Sequence, residues 1–321
     1  MHPTSPGIRD QRIGLAAAIG AAVIYGAAYP ATAIALRSFT PLGIAGLACT
    51  IALGLVLGLA RLGALPQPSL AGMTGPRLGR LAVLACLGGL GFIVGVNVAV
   101  ALAGPTITGF VATLYAVLAT LFAVPVLGER ISRVTIGAFA AALIGTVLLA
   151  GVEPTGQPAA GVAMAFASAA MFGLYLVLAR RWTVPYRLDG TLVTIGNLIG
   201  RGPALLVAAL VLEGGRLVPA HPDPGALIAL ASIVVGSSTT GNLLLMASVR
   251  RVAAGRTSAA LLLTPIASAL IAALVFTERL APIQLAGGAL ILLGIAGASG
   301  VRPGRPPPRP SGAAPRRDRA A

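Results

Sequence analysis

Ten long apolar runs occupy about two thirds of this 321-residue chain and restrict what it can fold into. Each run has 18–24 residues, which matches the roughly 20 residues that a helix needs to cross a hydrocarbon core. Numbered as spans 1 to 10, they are 13–36, 41–60, 81–103, 106–127, 134–151, 161–179, 191–212, 226–248, 257–276 and 283–300. Because a membrane-spanning segment must satisfy its own backbone hydrogen bonds, the runs predict an all-α polytopic membrane protein with ten transmembrane helices.

The distribution of arginine predicts how these spans are oriented. All 23 basic residues are arginine, and 19 of them lie before span 1, in the loops after spans 2, 4, 6 and 8, or in the tail. Of the other four, Arg37, Arg216 and Arg279 lie in the alternate loops. Cytoplasmic loops carry the excess of positive charge, so we expect a multi-pass protein of the plasma (inner) membrane with both termini in the cytoplasm.

The composition argues against a soluble protein and against several kinds of site. Charged residues make up 10% of the chain, against about 25% in a soluble domain. A net charge of +15 would suggest a nucleic-acid partner in a soluble protein, but here the arginines flank spans, so no nucleic acid is expected. Cys49 and Cys86 lie inside apolar runs and are predicted to be small buried hydrophobes. His2 and His221 lie outside the runs, so neither a metal nor a cofactor is expected.

The second half of the chain repeats the first. The segment 126–131 at the end of span 4 reads VLGERI, and the segment 275–280 at the end of span 9 reads VFTERL. Their offset of 149 residues aligns spans 4 and 5 with spans 9 and 10 without a gap. Because each half has an odd number of spans, the second half enters the membrane from the opposite side. The sequence therefore predicts two inverted five-helix repeats, an arrangement that is frequent in secondary transporters.

These repeated turns resemble the ten-helix EamA-type branch of the drug/metabolite transporter superfamily. Further matching segments are Tyr25-Gly26, Leu178-Ala179-Arg180-Arg181 and Leu262-Leu263-Thr264-Pro265-Ile266. The chain departs from the family pattern at Ala116, where a proline is frequent, and at Thr277, where glycine is usual. The resemblance covers about 13–300. It implies a central cavity lined mainly by spans 1, 3, 4, 6, 8 and 9, and the export or exchange of small metabolites, amino acids among them.

Spans 3 and 8 contain stretches that favour an interrupted helix. Span 8 has the sequence GSSTTG at 236–241, and span 3 has glycines at 88–95. Matched interruptions in two halves point to a midplane site, while close helix packing, as for Gly54 and Gly58 in span 2, is the alternative. The candidate hinge or broken-helix residues are Pro30, Gly91, Gly95, Gly236, Gly241 and Pro265.

Polar side chains inside apolar runs are the candidate substrate-binding residues. Arg201 lies halfway along span 7, where a charge costs roughly 2.5–3.5 kcal/mol. It either attracts a carboxylate or phosphate of the solute, or caps carbonyl groups and reaches an interface. The full candidate set is Tyr25, Tyr29, Asn97, Tyr115, Arg201, Ser238, Asn242 and Thr264.

The acidic residues most open to a functional interpretation are at helix ends. Glu129 and Glu278 follow spans 4 and 9, where the helix dipole disfavours an anion, and each precedes an arginine, Arg130 or Arg279. We predict that all four are structural turn residues. Since proton relays generally hold an acid inside a span, the chain is expected to be a facilitator or exchanger without proton coupling.

The sequence predicts a secondary transporter of small organic solutes, not an enzyme. The expected organisation is a cytoplasmic N-terminus at 1–12, repeats at 13–151 and 161–300, a linker at 152–160 and a disordered basic cytoplasmic tail at 301–321. The expected partners are the lipid bilayer and an anionic or zwitterionic solute, with a homodimer left open. A non-transporting scaffold or sensor and a membrane-embedded lipid-modifying enzyme are the alternatives. ATP-driven transport by this chain is excluded, because it has no P-loop.

Overall fold

The computed structural model describes residues 8–65, 75–128, 133–150, 157–183, 190–212, 217, 219–251, 260–261, 263–277 and 281–299. A helix is present at each of the ten predicted spans, and no strand occurs in these ranges. The α-helices are Ile8–Ala35, Pro41–Arg61, Gly75–Ala85, Phe92–Ala112, Tyr115–Leu127, Arg133–Ala150, Gln157–Thr183, Gly190–Leu212, Pro224–Ser232, Asn242–Arg251, Leu263–Phe276 and Pro282–Ser299. Two π-helices, Cys86–Gly91 and Ile233–Gly241, continue the helix through the middle of spans 3 and 8.

The helices have the length and the outer surface of a membrane protein. Among the described residues, five helices are long and apolar enough to cross a bilayer: Arg9–Ala35, Pro41–Arg61, Leu78–Ala112, Ala159–Leu178 and Pro224–Leu245. Shorter apolar helices are Tyr115–Leu127, Leu198–Leu212, Leu263–Phe276 and Pro282–Gly294. Large apolar side chains such as Leu274, Val211 and Ile228 are exposed on the outside. A soluble protein rarely exposes so much apolar surface, so the chain is an all-α polytopic membrane protein in contact with lipid.

Local sequence explains where several helices begin. The Thr40 hydroxyl accepts a hydrogen bond of 3.0 Å from the Gly43 amide, and Asp223 caps the first helix of span 8 through the Ala226 amide at 3.1 Å. A proline follows each of these caps, at a position where the missing amide hydrogen has no helical partner. Capped starts of this kind fix the ends of spans 2 and 8.

Left-handed residues mark equivalent turns in the two halves. Gly104, with φ of +79° and ψ of +169°, is non-helical and divides the segment Phe92–Ala112 into the end of span 3 and the start of span 4. Gly128 ends span 4 with φ of +70°, and Thr277, 149 residues later, ends span 9 with φ of +52°. A β-branched residue is unfavourable in this region. Thr277 therefore holds the backbone conformation for which the resemblance implies glycine.

The two halves pack against each other through matching pairs of spans. Span 2 packs on its counterpart span 7, span 5 packs on its counterpart span 10, and the contacts of span 1 with spans 8 and 9 match those of span 6 with spans 3 and 4. This is the contact pattern of a two-fold axis, in which each surface meets its own equivalent. Since each half contributes five spans, the axis relates inverted repeats.

Glycines show that this two-fold relation extends to individual atoms. A methyl group added at Gly26 would lie 2.5 Å from the Thr264 carbonyl oxygen and 3.0 Å from the Ser268 amide nitrogen. A methyl group at Gly173 would lie 3.0 Å and 2.9 Å from the same two atom types of Tyr115 and Ala119, each 149 residues earlier. The backbones of spans 1 and 9 therefore approach as closely as those of spans 6 and 4, because glycine stands at both crossings.

Three sequence expectations have a different outcome or lie outside the described residues. Cys49 is buried as expected, but Cys86 is exposed, because it faces outward at the start of the first π-helix. A methyl group at Gly54 or Gly58 would meet none of the described residues within 4 Å, so these two glycines do not pack against another described helix. The four turn residues Glu129, Arg130, Glu278 and Arg279 lie outside the described ranges.

Candidate functional site

A cavity of about 270 Å³ lies among the helices of both halves. The side chains that line it come from spans 1 to 4 and 6 to 9, so spans 2 and 7 join the six that the resemblance implies. All eight candidate substrate-binding residues named from the sequence line this one cavity: Tyr25, Tyr29, Asn97, Tyr115, Arg201, Ser238, Asn242 and Thr264. The walls are mostly apolar with a few polar groups, which is the usual character of a small-molecule site.

One wall of the cavity is polar and joins span 1 to span 8. The Tyr25 hydroxyl donates a hydrogen bond of 3.0 Å to the side-chain oxygen of Asn242. The Asn242 amide group in turn donates to the carbonyl oxygens of Ser238 at 3.0 Å and Ser237 at 3.3 Å. A methyl group at Gly241 would lie 2.9 Å from the Tyr25 ring, so glycine is needed for this approach. These contacts fix the Tyr25 ring at the cavity surface.

The stretches predicted to interrupt spans 3 and 8 are π-helical instead of open. Cys86–Gly91 and Ile233–Gly241 overlap when the 149-residue offset is applied, so the wider turns occupy equivalent places in the two halves. A π-helix keeps backbone hydrogen bonds by pairing i with i+5 and is frequent at functional sites. Both stretches contain glycine, and the chain there forms a wider helix. It is not fully interrupted, because interruption would leave backbone groups without hydrogen-bond partners in hydrocarbon.

Of the other candidate hinge residues, Pro30, Gly95 and Pro265 lie in α-helix, and Gly91 is the last residue of the first π-helix. Pro30 lies within Ile8–Ala35, and Pro265 lies within Leu263–Phe276, both without a break. Added methyl groups at Gly91 and Gly95 would overlap Met171 and Ser168 of span 6. These two glycines therefore allow span 3 to pack closely on span 6.

A second part of the cavity wall is aromatic, and the sequence alone indicates only one of its residues. The Phe172 ring stacks on Phe92 at 4.4 Å between centroids and on Tyr175 at 5.3 Å, and it meets the edge of Tyr115 at 5.0 Å. Of these four residues, only Tyr115 was a candidate. Phe172 precedes Gly173 as Tyr25 precedes Gly26, the equivalent glycine of the first half, and this repeated aromatic-glycine pair is the signal that would find Phe172.

Arg201 supplies the positive charge of the cavity. It lies at the centre of Gly190–Leu212, and its side chain is 9% exposed. A methyl group at Gly89 would lie 2.6 Å from Arg201 Cδ and 2.8 Å from Cβ, so the glycine of the first π-helix makes room for the arginine. Its Nε atom is buried and has no hydrogen-bond partner among the described residues. None of the described residues that line the cavity is acidic.

Asn97, Tyr29 and Thr264 are three further polar residues that line the cavity, together with Thr32 and Thr113. The Asn97 side chain donates a hydrogen bond of 3.1 Å to the Pro41 carbonyl oxygen and so ties span 3 to span 2. Tyr29 and Thr264 are buried at the cavity wall. The site as a whole offers hydroxyl and amide groups, one cation and an aromatic wall, but no pair of described groups arranged as a nucleophile with its base.

Comparison with known proteins agrees with this architecture. The EamA-like transporter family matches the chain twice, over residues 12–151 and 159–300. A solved structure titled "Crystal structure of protein" has a TM-score of 0.61 over 89% of this chain and 96% of its own length, at 22% identity, which shows a shared fold. A comparison with curated protein sequences finds no match. With two family repeats over most of its length and a helical membrane fold, the chain belongs to the EamA-like transporter family.

Proposed function

We propose that the protein is a secondary transporter that exports or exchanges small organic metabolites, such as amino acids, by alternating access. The observation that carries the proposal is the cavity, which receives side chains from both inverted halves. Two equivalent halves can exchange conformations and so open the same site to each side of the membrane in turn. The close glycine crossings of spans 1 and 9 and of spans 6 and 4 provide rigid pairs for such a motion.

We place the protein in the plasma membrane with both termini in the cytoplasm, and the repeats at 13–151 and 161–300. The arginine asymmetry supports the orientation, and the two family matches support the repeat limits. Single cysteines introduced beside the Glu129 and Glu278 turns test the inversion in intact cells. An impermeant thiol reagent should label the second position and spare the first, whereas labelling of both would refute the inverted arrangement.

Transport is proposed to be uncoupled from protons. The acidic residues among the described ranges are Asp10 and Asp223, and both lie at helix ends away from the cavity. A carrier without a protonatable carboxylate at its site has no evident group to exchange a proton during each cycle. Uptake into proteoliposomes should therefore stay within twofold when a pH gradient is imposed, and strong acceleration would contradict this part of the proposal.

Blocking the cavity tests the proposed function directly. Ala28 lines the cavity, so Ala28→Trp should fill it and abolish uptake of a panel of amino acids and organic acids into proteoliposomes. Ala163 faces outward on span 6, and Ala163→Trp is the matched control that should preserve uptake. Equal uptake by the two variants would show that this cavity is not the route. Failure of the unmodified protein to transport any solute of the panel would favour a scaffold.

A further inference from the structure

We propose that this cavity selects organic monoanions with a planar apolar body, and that Arg201 is the residue that selects them. The inference rests on the proposed function and narrows its solute class from small organic metabolites to organic monoanions, so zwitterionic amino acids are not among the preferred solutes. It depends on three features of the described residues that line the cavity: Arg201 is their one cation and is buried, none of them is acidic, and several form an aromatic wall.

The charge of the cavity is not balanced by the described part of the protein. A guanidinium stays charged in proteins, and a buried charge in a span needs a partner. Arg201 Nε is buried without a hydrogen-bond acceptor. A bound carboxylate would pair with the guanidinium from the cavity that Arg201 lines, because arginine binds carboxylates through two parallel hydrogen bonds. Anion binding therefore balances a buried charge that has no acidic partner among the described lining residues.

A monoanion fits this site better than a zwitterion or a cation. Among the described residues the acids are Asp10 and Asp223, which lie at helix ends, so neither offers a carboxylate to an ammonium group within the cavity. A bound monoanion forms a neutral pair with Arg201, whereas a zwitterion places an ammonium in a site that is already positive. Aromatic rings alone also attract organic cations, but the like charge of Arg201 opposes them in a space of about 270 Å³.

The aromatic wall indicates the shape of the solute body. Phe92, Phe172 and Tyr175 form a stack with centroid separations of 4.4 and 5.3 Å, and Tyr115 meets it edge-on. Offset-stacked and edge-to-face contacts favour a further planar ring. The cavity lies near the lower end of ordinary ligand sites, which suits a solute with one ring and one carboxylate.

Net charge on the solute also gives transport a direction. If Arg201 remains with the protein, each uncoupled cycle moves one negative charge across the membrane. A potential of 100 mV, negative inside, then favours the anion outside by about fiftyfold at equilibrium. The membrane potential alone would make such a carrier an exporter, without a protonatable carboxylate in the site.

Binding to the purified full-length protein tests the selectivity first. The probes are phenylacetate, its neutral isostere phenylacetamide, the zwitterion phenylalanine and the cation phenethylamine. Phenylacetate alone should raise the melting temperature strongly, since a ligand that binds the folded state stabilises it. Arg201→Gln should weaken phenylacetate binding at least tenfold, and Arg201→Lys should retain part of it. Arg61→Gln, which removes an exposed arginine at the end of span 2, is the matched control and should bind normally.

Several binding results would overturn the inference. These are equal stabilisation by phenylacetamide, stronger stabilisation by phenylalanine, stabilisation by none of the four probes, or unchanged phenylacetate binding in Arg201→Gln. The melting temperatures of the unliganded variants show whether each protein is folded. If Arg201→Gln does not fold, phenylacetate binding by Arg201→Lys still tests the inference.

Transport by proteoliposomes then separates the inference from the proposed function. With a potassium diffusion potential, phenylacetate should accumulate on the positive side, and reversing the potential should reverse its movement. Phenylacetate transport that does not depend on the membrane potential would refute electrogenic export. Phenylacetate that binds through Arg201 but is not moved would refute the transport function and leave the anion site standing. Movement of phenylalanine or phenylacetamide in preference to phenylacetate would refute the anion site and leave a transporter.

Discussion

Replacing Gly26 by alanine should weaken the protein by separating spans 1 and 9. The added methyl group would lie 2.5 Å from the Thr264 carbonyl oxygen, 2.7 Å from Ala267 Cβ and 3.0 Å from the Ser268 amide nitrogen. Ordinary contact begins at 3.4 Å, so the two helices must move apart by about 0.9 Å. Two of the three obstructing atoms belong to the backbone, so a change of rotamer cannot relieve the overlap.

The size of the effect follows from comparison with a glycine in open space. Overpacking a close contact costs about 1–3 kcal/mol, while alanine gains about 1 kcal/mol over glycine as a helix former. Gly54→Ala should gain helix propensity without the cost of overpacking, because its methyl group meets no described residue within 4 Å. The difference in unfolding free energy between the two variants should therefore be about 1–3 kcal/mol. Gly173→Ala, with nearest atoms at 2.9 and 3.0 Å, should lie between them.

Thermal unfolding of the purified variants in detergent measures this difference. At about 2–4 °C per kcal/mol, Gly26→Ala should melt roughly 2–12 °C below Gly54→Ala. Equal melting temperatures would show that spans 1 and 9 do not approach through glycine. A larger loss at Gly173 than at Gly26 would show that the ordering by distance is wrong.

Three further predictions concern transport. Gly89→Ala should displace the Arg201 stem, whose Cδ lies 2.6 Å from the added methyl group, and weaken binding of organic anions about tenfold by calorimetry while neutral solutes are unaffected. Tyr25→Phe removes the 3.0 Å hydrogen bond to Asn242 and should lower solute affinity by up to about tenfold, since such a bond contributes about 0.5–1.5 kcal/mol; unchanged affinity would place this bond outside the site's function. Glu129→Gln should leave proteoliposome uptake within twofold, because we predict a turn role for this residue, and loss of uptake by the intact variant would identify a proton carrier.

The sequence located the polar part of the site because polar residues inside apolar runs have few alternatives. Tyr25, Asn242 and Arg201 each lie near the middle of a span, where lipid offers no hydrogen-bond partner. The side chains of such residues must face protein or a cavity. Their position along the helix is therefore enough to identify them as candidate site residues. The repeat offset and the positions of the spans can be predicted for a similar reason, since each depends on order along the chain.

The aromatic wall and the packing glycines could not be read in the same way. Phe92 and Phe172 are as compatible with lipid as with a cavity, so their role depends on the rotation of each helix about its axis. Helix rotation also distinguishes two glycine pairs that have the same four-residue spacing. Gly91 of the first pair packs against span 6, whereas Gly54 of the second has no described residue within 4 Å of an added methyl group. Rotation is set by the neighbouring helices, which a hydropathy pattern does not specify.

The backbone follows the two-fold axis more closely than the cavity lining does. Thr277 takes the left-handed conformation of Gly128 although threonine disfavours it, so the packed halves determine the turn more strongly than the local residue does. In contrast, the offset of 156 that relates Gly46 to Gly202 at the crossing of spans 2 and 7 pairs Arg201 with Ala45, and both residues line the cavity. In the proposed cycle these two features serve different needs. Equivalent packing keeps the two conformations close in energy, while a charge without a counterpart lets a solute bind in a single orientation.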